Sequence, residues 1–341
     1  MKNLKIFKRK INNKLSVIVL KILSFFPVYI KLSFFPKKLQ KINTNYFLEV
    51  SKEENIGIIV QGPPVLIGDF TYETLKYYKN SKFFSTVVFS TTSKLSKDWE
   101  EKVKNLDIIV LKNTPPLNLG SFNIGHQIIN SLEGVKEIKK QTCTFCVKTR
   151  SDQRLYRLGV IYTLINLLKT FPVEENSFLN NRIIFSSFTK KYISHHLGDF
   201  FQFGKTSDIY FFFKSALDNY LYENLFKTTV PEIIFCLSFL KNLSFPVKNT
   251  LGNYYLFLKK YCIICDHLFL DLHWVKYHNL FINSLNPSFN IYNNYTDFWK
   301  ENLSFQDWLN IYYTDEYLLR NASVEKNNIV LPDSYKKSFF K

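Results

Sequence analysis

The 341-residue chain is poor in cysteine and glycine, and each shortage argues against a class of protein. Five cysteines are an odd number in a long chain, which argues against a disulfide scaffold and suits a reducing compartment. The ten glycines form neither a G-x-G-x-x-G fingerprint nor a Walker loop. The motifs G-x-S-x-G and H-E-x-x-H and the kinase motif set are also missing, so hydrolase and kinase assignments have no support.

Arginine is scarce although the chain is strongly basic. The formal charge is +17, yet only six of the 45 basic residues are arginine. Proteins that read nucleic-acid bases favour arginine for bidentate contacts, and no basic helix or RNA-binding aromatic signature occurs. We therefore expect no nucleic-acid partner. An anionic membrane surface and an anionic substrate remain as partners for the positive charge.

The chain also lacks an uninterrupted apolar run long enough to span a bilayer. Residues 1–14 are basic, and the apolar stretch 15–35 is broken by Lys21, Pro27 and Lys31. A transmembrane helix needs about 20 mostly apolar residues, and no signal-peptide cleavage site follows. We interpret residues 1–50 as a basic amphipathic arm on a membrane surface. The alternative is a helical arm packed on the domain.

Two cysteine pairs have the spacing of zinc ligands. Cys143 and Cys146, like Cys262 and Cys265, are separated by two residues. Both pairs lie in apolar, strand-like runs, where alternate residues face opposite ways. The pattern therefore favours buried free thiols over a zinc site.

From residue 51 the sequence alternates strand-like and helix-like segments. Short apolar runs at 56–60, 86–89, 107–111 and 143–147 are separated by helical patterns at 71–78, 96–106 and 124–135. Asp69, Ser96 and Asn123 are candidate N-caps of these helices. Strands that alternate with helices predict a mainly parallel, Rossmann-like α/β sheet flanked by helices.

The pattern is looser beyond residue 152. It predicts a helix at 160–168, a strand at 182–188 and a helix from Pro231 to about residue 240. Aromatic-rich helical patches follow near 266–278 and 305–319. We therefore expect a nucleotide-sugar domain over 51–230, and a helical, aromatic-rich acceptor-side region of the same unit over 231–341.

The densest group of charges follows the fourth strand, in Lys148-Thr149-Arg150-Ser151-Asp152. An acidic residue at the end of a buried strand lies at the mouth of an α/β sheet, where such folds bind ligands. Lys148 and Arg150 could meet the phosphates of an activated donor, and Asp152 is a candidate catalytic carboxylate. The alternative for Asp152 is a helix cap or a loop ion pair with Arg154.

Weaker candidates come from the ends of the other elements. Gln61 and Gly62 after the first strand, and Ser90 and Thr91 after the second, are placed to contact a nucleotide, although a simple turn explains them equally well. Asn123 is a further candidate, with a helix cap as its alternative.

Acidic residues in the second half of the chain are candidates for the remaining roles. Glu232 and Asp208 are candidate bases, and Asp199 is a candidate metal ligand or sugar-hydroxyl acceptor. The adjacent His195 and His196 fit an exposed loop. The polar residues within 271–278 are more typical of a buried histidine with hydrogen-bond partners than of a functional site.

Taken in order, these motifs resemble the WavE-like lipopolysaccharide synthesis family of bacterial glycosyltransferases. The resemblance rests on segments 60–63, 90–91, 123–134, 148–152 and 198–204, and the Lys-Thr-Arg-Ser-Asp run is the most specific of them. It covers residues 55–210 well and the remainder weakly. The chain departs from the family near Asn123, where we expect an arginine and find His126.

The resemblance implies a GT-A type fold and transfer of a sugar from a nucleotide-sugar to a lipid-linked or oligosaccharide acceptor in lipopolysaccharide core or capsule. Such enzymes often use Mn²⁺ or Mg²⁺ on an Asp-x-Asp motif. Here Asp152 would hold the ion, alone or with Asp199. Alternatively, Lys148 or Arg150 would carry the phosphate charge without metal.

The expected place of the protein is the cytoplasmic face of the bacterial inner membrane. Another nucleotide-sugar enzyme, such as a nucleotidyltransferase, and a non-catalytic membrane-surface protein of glycan assembly are the alternative functions.

Overall fold

The computed structural model describes residues 54–81, 83–222, 230–248, 250–275 and 302–314. The arm expected over residues 1–50 lies outside the described residues, so its membrane role stays a prediction. The boundaries at 51–230 and 231–341 stay predictions as well. Among the described residues, no helix combines the length and the apolar character needed to cross a bilayer.

A seven-stranded sheet with the order β3-β2-β1-β4-β7-β6-β8 forms the centre of the described unit. Its strands are β1 Ile56–Gln61, β2 Thr86–Thr91, β3 Ile109–Lys112, β4 Phe145–Arg150, β6 Ile183–Ser186, β7 Gln202–Lys205 and β8 Cys262–Cys265. Every pairing is parallel except those of β7, which is antiparallel to β4 and β6. A separate antiparallel pair joins β5 Gln153–Leu155 to β9 Leu272–Trp274.

Helices cover this sheet, and the described ones are numbered here in chain order. They are α1 Phe70–Asn80, α2 Lys97–Lys104, α3 Ile124–Lys140, α4 Val160–Thr170, α5 Thr206–Ala216, α6 Pro231–Asn242, α7 Leu251–Tyr261 and α8 Phe305–Tyr313. The predicted fold class is therefore confirmed as a mainly parallel sheet flanked by helices. The C-terminal part is more helical, although its strand β8 belongs to the central sheet.

The central strands form because their apolar runs are buried on both faces. All six residues of β1 are buried, and so are the first five of β4, which include Lys148. Strands covered by helices on both sides lose the apolar–polar alternation of half-exposed strands. The long buried stripe of α3, with Ile128, Leu132 and Val135, lies against this sheet.

Two predictions about local structure are wrong. The segment 266–278 is not a helix where it is described: turns occupy 267–271, and strand β9 follows. β4 begins at Phe145 rather than Cys143, so the strand itself carries Lys148 and Arg150. The apolar run marked the strand but not its end, because contacts distant in sequence bury Lys148 within the strand.

The capping predictions differ in outcome. Ser96 accepts a hydrogen bond from the backbone N–H of Trp99 and caps α2, as predicted. Asp69 and Asn123 stand at the N-cap positions of α1 and α3, but neither side chain makes a capping hydrogen bond. Asp69 is instead ion-paired with Lys102.

The five cysteines are buried free thiols, as predicted. Burial raises the pKa of Cys146, Cys236 and Cys262 well above the usual thiol value. In the part of the chain that the structure describes, no group of three or more His, Cys, Asp or Glu side chains could hold a metal ion.

Candidate functional site

One edge of the sheet collects most of the predicted site. The six parallel strands all end there, and antiparallel β7 begins there. Gly62 after β1 lies against Ser151 after β4, and Arg150 at the end of β4 contacts Phe200 in the loop 198–201 that precedes β7. The carboxyl ends of parallel strands are also where open α/β sheets bind ligands. The helix α6 brings Glu232 to the same place, as its charge contacts show below.

Arg150 and Asp152 form a bidentate ion pair at this edge. Arg150 Nε and Nη2 donate to the two carboxylate oxygens of Asp152 at 2.9 and 3.0 Å. Burial alone would raise the pKa of Asp152, but hydrogen bonds and charge from Arg150 outweigh it and lower the pKa. The side chains are 23% and 14% exposed, so the pair is accessible from the mouth. The predicted loop ion pair with Arg154 is not what forms, because Arg154 bonds to α1 instead.

An aromatic wall stands beside Arg150. Its guanidinium carbon lies 5.5 Å from the ring centre of Trp274 and 5.8 Å from that of Phe200. The rings of Phe200 and Trp274 are 4.3 Å apart, and Phe188 contacts both. Cation–π contact restrains the guanidinium, and the half-buried ring of Phe200 could stack on a sugar or a base.

Lys148 lies two residues before Arg150, but its ammonium group is not at the mouth. The side chain is fully buried, its Nζ donates to the carbonyl of Asp199 at 2.7 Å, and it lies 5.8 Å from the ring centre of Phe213. Burial lowers the pKa of Lys148 to about 7. This placement contradicts a direct phosphate contact, since Lys148 instead holds the Asp199 loop in position.

Asp199 is buried in that loop with an incomplete set of partners. Gln127 of α3 donates to its Oδ2 at 2.7 Å. Its Oδ1 has no hydrogen-bond partner among the described residues, and the same is true of the buried Oε1 of Gln61. Buried acceptors usually have partners, so open ones at a sheet mouth are typical of a ligand site.

Glu232 is the second residue of α6, and the charged groups of the site act on its carboxyl group. Burial and the nearby charge of Asp199 raise the pKa of Glu232 to about 8, although the positive charges of Arg150 and Lys190 oppose the shift. A carboxyl group with a pKa near the working pH can accept a proton from a substrate hydroxyl. The predicted base is therefore within range of the charges of Asp199 and Arg150.

Gly62 lets the loop after β1 lie against the loop after β4 at the mouth of the sheet. Its φ is +120°, its N–H donates to the carbonyl of Ser90 at 3.0 Å, and a Cβ there would lie 2.9 Å from Ser151 Oγ. Ser151 in turn donates to the carbonyl of Pro63. Only glycine fits this conformation without strain, and it allows the two loops to touch.

Ser90 and Thr91 do not present free hydroxyl groups at the mouth. Ser90 and Thr91 are fully buried, where Ser90 Oγ accepts from Asn113 and Thr91 Oγ1 accepts from the N–H of Ser93. Both therefore shape the loops rather than contact a ligand directly. Asn123 is exposed at the start of α3, one turn before Gln127.

Asp208 lies at the opposite edge of the sheet, since α5 starts where β7 ends, beside the beginning of β4. Its two carboxylate oxygens accept from the backbone N–H groups of Asn180 and Asn181 at 3.0 and 2.8 Å. Burial raises the pKa of Asp208 despite these bonds. The structure thus separates this predicted base from the other candidates.

The adjacent histidines are not exposed, contrary to expectation. His195 is buried and His196 is half-buried, and burial lowers the pKa of each to about 4. The carbonyl of His196 accepts a hydrogen bond from Tyr254 at 2.8 Å. Both histidines are neutral packing residues at neutral pH.

The described carboxylates do not fit the predicted Mn²⁺ or Mg²⁺ ion. Arg150 occupies both oxygens of Asp152, and Asp199 presents a single open oxygen. Magnesium and manganese prefer several oxygen ligands. The donor set of the described residues therefore favours the alternative in which cations meet the phosphate charge.

The sequence analysis missed the aromatic wall and Gln127. Trp274 reaches the site because β9 pairs with β5, which directly follows Asp152. A helical interpretation of 266–278 concealed this pairing. Gln127 was quoted only as part of the family resemblance, and its position one helical turn after Asn123 is the signal that could have identified it.

Comparison with known proteins agrees with the motifs. Residues 106–231 match the family described as WavE lipopolysaccharide synthesis, and this match contains Arg150, Asp152 and Asp199. The recognition drawn from the sequence is confirmed over this segment. No curated protein matches the chain.

Among solved structures, the chain is similar to a 4-diphosphocytidyl-2C-methyl-D-erythritol synthase from Anaerococcus prevotii, with 12% identity, a TM-score of 0.38, and 69% of this chain and 98% of the other covered. It is also similar to a cytidylyltransferase from Leptospira borgpetersenii, with 16% identity, a TM-score of 0.33, and coverage of 60% and 86%. Likeness at this level carries no argument about function.

Proposed function

We propose that the protein is a glycosyltransferase that moves a sugar from a nucleotide-sugar donor to a growing surface glycan, in lipopolysaccharide core or capsule. The observation that carries the proposal is the partly exposed Arg150–Asp152 pair at the mouth of the sheet, inside the segment that matches the lipopolysaccharide synthesis family. Arginine recognises phosphate oxygens through its planar guanidinium, and Asp152 holds the positive charge of Arg150 at the mouth of the sheet.

In this mechanism the departing diphosphate is neutralised by protein cations. Arg150 is oriented by Asp152 and by the rings of Phe200 and Trp274, so its position is fixed before the donor binds. Charge groups fixed in advance favour the transition state without reorganisation. Asp152 thereby positions Arg150 and does not bind metal.

Glu232 is the proposed base for the acceptor hydroxyl. The carboxylate takes the hydroxyl proton while the acceptor oxygen attacks the anomeric carbon and the bond to the diphosphate breaks. Its raised pKa near 8 makes it a better proton acceptor than an ordinary glutamate. The negative charge of Asp199 contributes to the raised pKa of Glu232. Asp199 Oδ1 can accept a hydrogen bond from a sugar hydroxyl.

We also propose that the protein works at the cytoplasmic face of the inner membrane, where residues 1–50 would hold it near a lipid-linked acceptor. The positive charge of those residues supports this placement.

Donor binding tests the proposal directly. Thermal unfolding of the full chain would be measured with UDP-, GDP-, CMP- and dTDP-sugars, each with Mn²⁺ or with EDTA, because specific binding raises the melting temperature. We expect a shift with one nucleotide class that EDTA leaves unchanged. A shift that needs Mn²⁺ contradicts the metal-free arrangement, and no shift with any donor contradicts the transferase. Pyrophosphate release from CTP or UTP would identify a nucleotidyltransferase instead.

A further inference from the structure

Large apolar side chains project into solvent from two loops at the site edge of the sheet. The loop after β1 carries Leu66 and Ile67, which are 62% and 81% exposed, and the loop after β3 carries Leu117 and Phe122, which are 108% and 76% exposed. Single exposed apolar residues are ordinary on a protein surface, but several at one end of a sheet are not.

The two loops belong to the same end of the molecule. β1 and β3 flank β2 in the sheet and run parallel, so their carboxyl ends lie about 10 Å apart, twice the usual strand spacing. The same edge carries Arg150 and Asp152. The apolar loops therefore stand beside the mouth of the site.

The backbone of both loops is fixed in an uncommon conformation. Each ends in a short 3-10 turn, Ile67–Asp69 or Ser121–Asn123, that leads into a helix. In both turns the last two residues have φ between 53° and 58°, although three of the four are not glycine. Side chains rarely adopt this region, and such outliers cluster at functional positions.

The charge around these loops is one-sided. The loop after β2 lies between them and presents the exposed Lys94. Across 62–69, 92–96 and 113–123 the only carboxylate is Asp69, which is ion-paired with Lys102. An apolar tip with an exposed lysine and no unpaired carboxylate complements an anionic lipid surface.

We propose that these two loops are a membrane-docking tip, in which Leu66, Ile67, Leu117 and Phe122 enter the acyl boundary of an anionic bilayer. Protruding aliphatic and aromatic side chains suit lipid better than a protein groove, because they gain burial without a matched surface. The tip is a second membrane contact, separate from residues 1–50, and it would place the mouth of the site against the bilayer. This inference stands whether or not the proposed function is correct.

Site-specific fluorescence tests the proposal in the full chain. All five native cysteines are buried, so a cysteine introduced by Leu117→Cys or Phe122→Cys can be labelled selectively with a polarity-sensitive dye. Phe178→Cys is the matched control, since Phe178 is 71% exposed in the segment before β6, at the opposite edge. The probes are vesicles of phosphatidylethanolamine with phosphatidylglycerol, and vesicles of phosphatidylcholine alone.

We expect the dye at residues 117 and 122 to shift to the blue on the anionic vesicles, and the dye at residue 178 to stay unchanged. Unchanged dye emission at residues 117 and 122 on vesicle-bound protein would contradict the insertion of these loops into the bilayer. Emission that is already blue without vesicles would also overturn it, because another part of the chain or a second copy would then cover these loops.

Affinity gives a second, independent measurement. The double variant Leu117→Asp/Phe122→Asp should bind the anionic vesicles at least about tenfold more weakly in co-sedimentation, since the transfer free energy of one such side chain alone corresponds to roughly that factor. The control Phe178→Asp should bind as the parent does. Equal binding by the double variant and the control contradicts insertion.

Discussion

Strand β7 has one buried aspartate three residues before it and another three residues after it. The two carboxylates differ in how completely they are hydrogen-bonded. Asp208, at the amino-terminal edge of the parallel strands, receives backbone N–H groups on both oxygens. Asp199, at the carboxyl edge, receives Gln127 on one oxygen, while the other has no partner among the described residues. The two sites share one residue type, similar burial and the same strand.

The contrast fits a structural role for Asp208 and leaves Asp199 as the candidate functional carboxylate. A buried carboxylate with complete hydrogen bonding ties a loop to a helix and contributes stability. A buried acceptor left open costs stability unless a ligand completes it, and natural proteins retain such costs mainly at sites. The carboxyl edge also holds Arg150 and Glu232, so charged groups gather near the open oxygen of Asp199.

The largest expected effect comes from removing the cation at the carboxyl edge. Arg150→Met retains most of the length and the contact with the aromatic wall but removes the charge. We expect the transfer rate to fall roughly 10²–10³-fold, the scale of one preorganised charge-stabilising group. Steady-state kinetics with the donor identified by thermal shift would measure kcat and KM.

Arg157→Met is the matched control, because Arg157 is exposed just beyond β5. It should leave kcat unchanged. Arg150→Met leaves the carboxylate of Asp152 without the cation that pairs with it. The double variant Arg150→Met/Asp152→Asn should therefore recover thermal stability without recovering activity. Activity of Arg150→Met within a few-fold of the parent would exclude Arg150 as the phosphate partner.

The paired aspartates give the next largest effect. Asp199→Asn should lower kcat by about 10²-fold, the scale of one polar group at the reacting centre, with little change in melting temperature. Asp208→Asn should leave kcat unchanged but lower the free energy of unfolding by about 1–3 kcal/mol, because an amide nitrogen would face a buried backbone N–H.

Steady-state kinetics measures kcat of the two variants, and thermal unfolding measures their stability. If Asp208→Asn reduces kcat more than Asp199→Asn does, the assignment of the two edges is reversed. If both variants lose only stability, the open oxygen of Asp199 has no functional role.

The sequence predicted the carboxyl edge well because its signals are local. Apolar runs stopped shortly before Gln61, Thr91 and the Arg150–Asp152 motif, and parallel strands bring such ends together without any knowledge of side-chain contacts. Pro231 at the first helical position marked the helix that carries Glu232. These features need only short-range patterns.

The remainder depends on contacts between distant segments. Trp274 reaches Arg150 through a strand pair that joins residues about 120 positions apart, and no local pattern encodes that pairing. Lys148 was predicted to contact phosphate because it belongs to the dense group of charges that follows an apolar run, yet packing against Phe213 and Asp199 buries it. Whether a charge faces ligand or core is decided by tertiary packing.

The smallest expected effect concerns the pH dependence of stability at the carboxyl edge. The pKa of Glu232 is raised from an ordinary 4.5 to about 8, mainly by burial. Between these values the folded chain keeps a proton that the unfolded chain releases, so this group makes the free energy of unfolding fall as pH rises. Lys148, with a pKa lowered from 10.5 to about 7, acts in the opposite direction above pH 7.

Glu232→Gln should therefore unfold at higher urea than the parent at pH 7, with the advantage shrinking towards about pH 4, where Glu232 is protonated in the folded state and mostly protonated in the unfolded one. Urea unfolding at several pH values measures this, with the exposed Glu101→Gln as the control that should follow the parent. A pH profile of Glu232→Gln identical to that of the parent would mean that Glu232 carries an ordinary charge, and the carboxyl edge would then lose its base but not its Arg150–Asp152 pair.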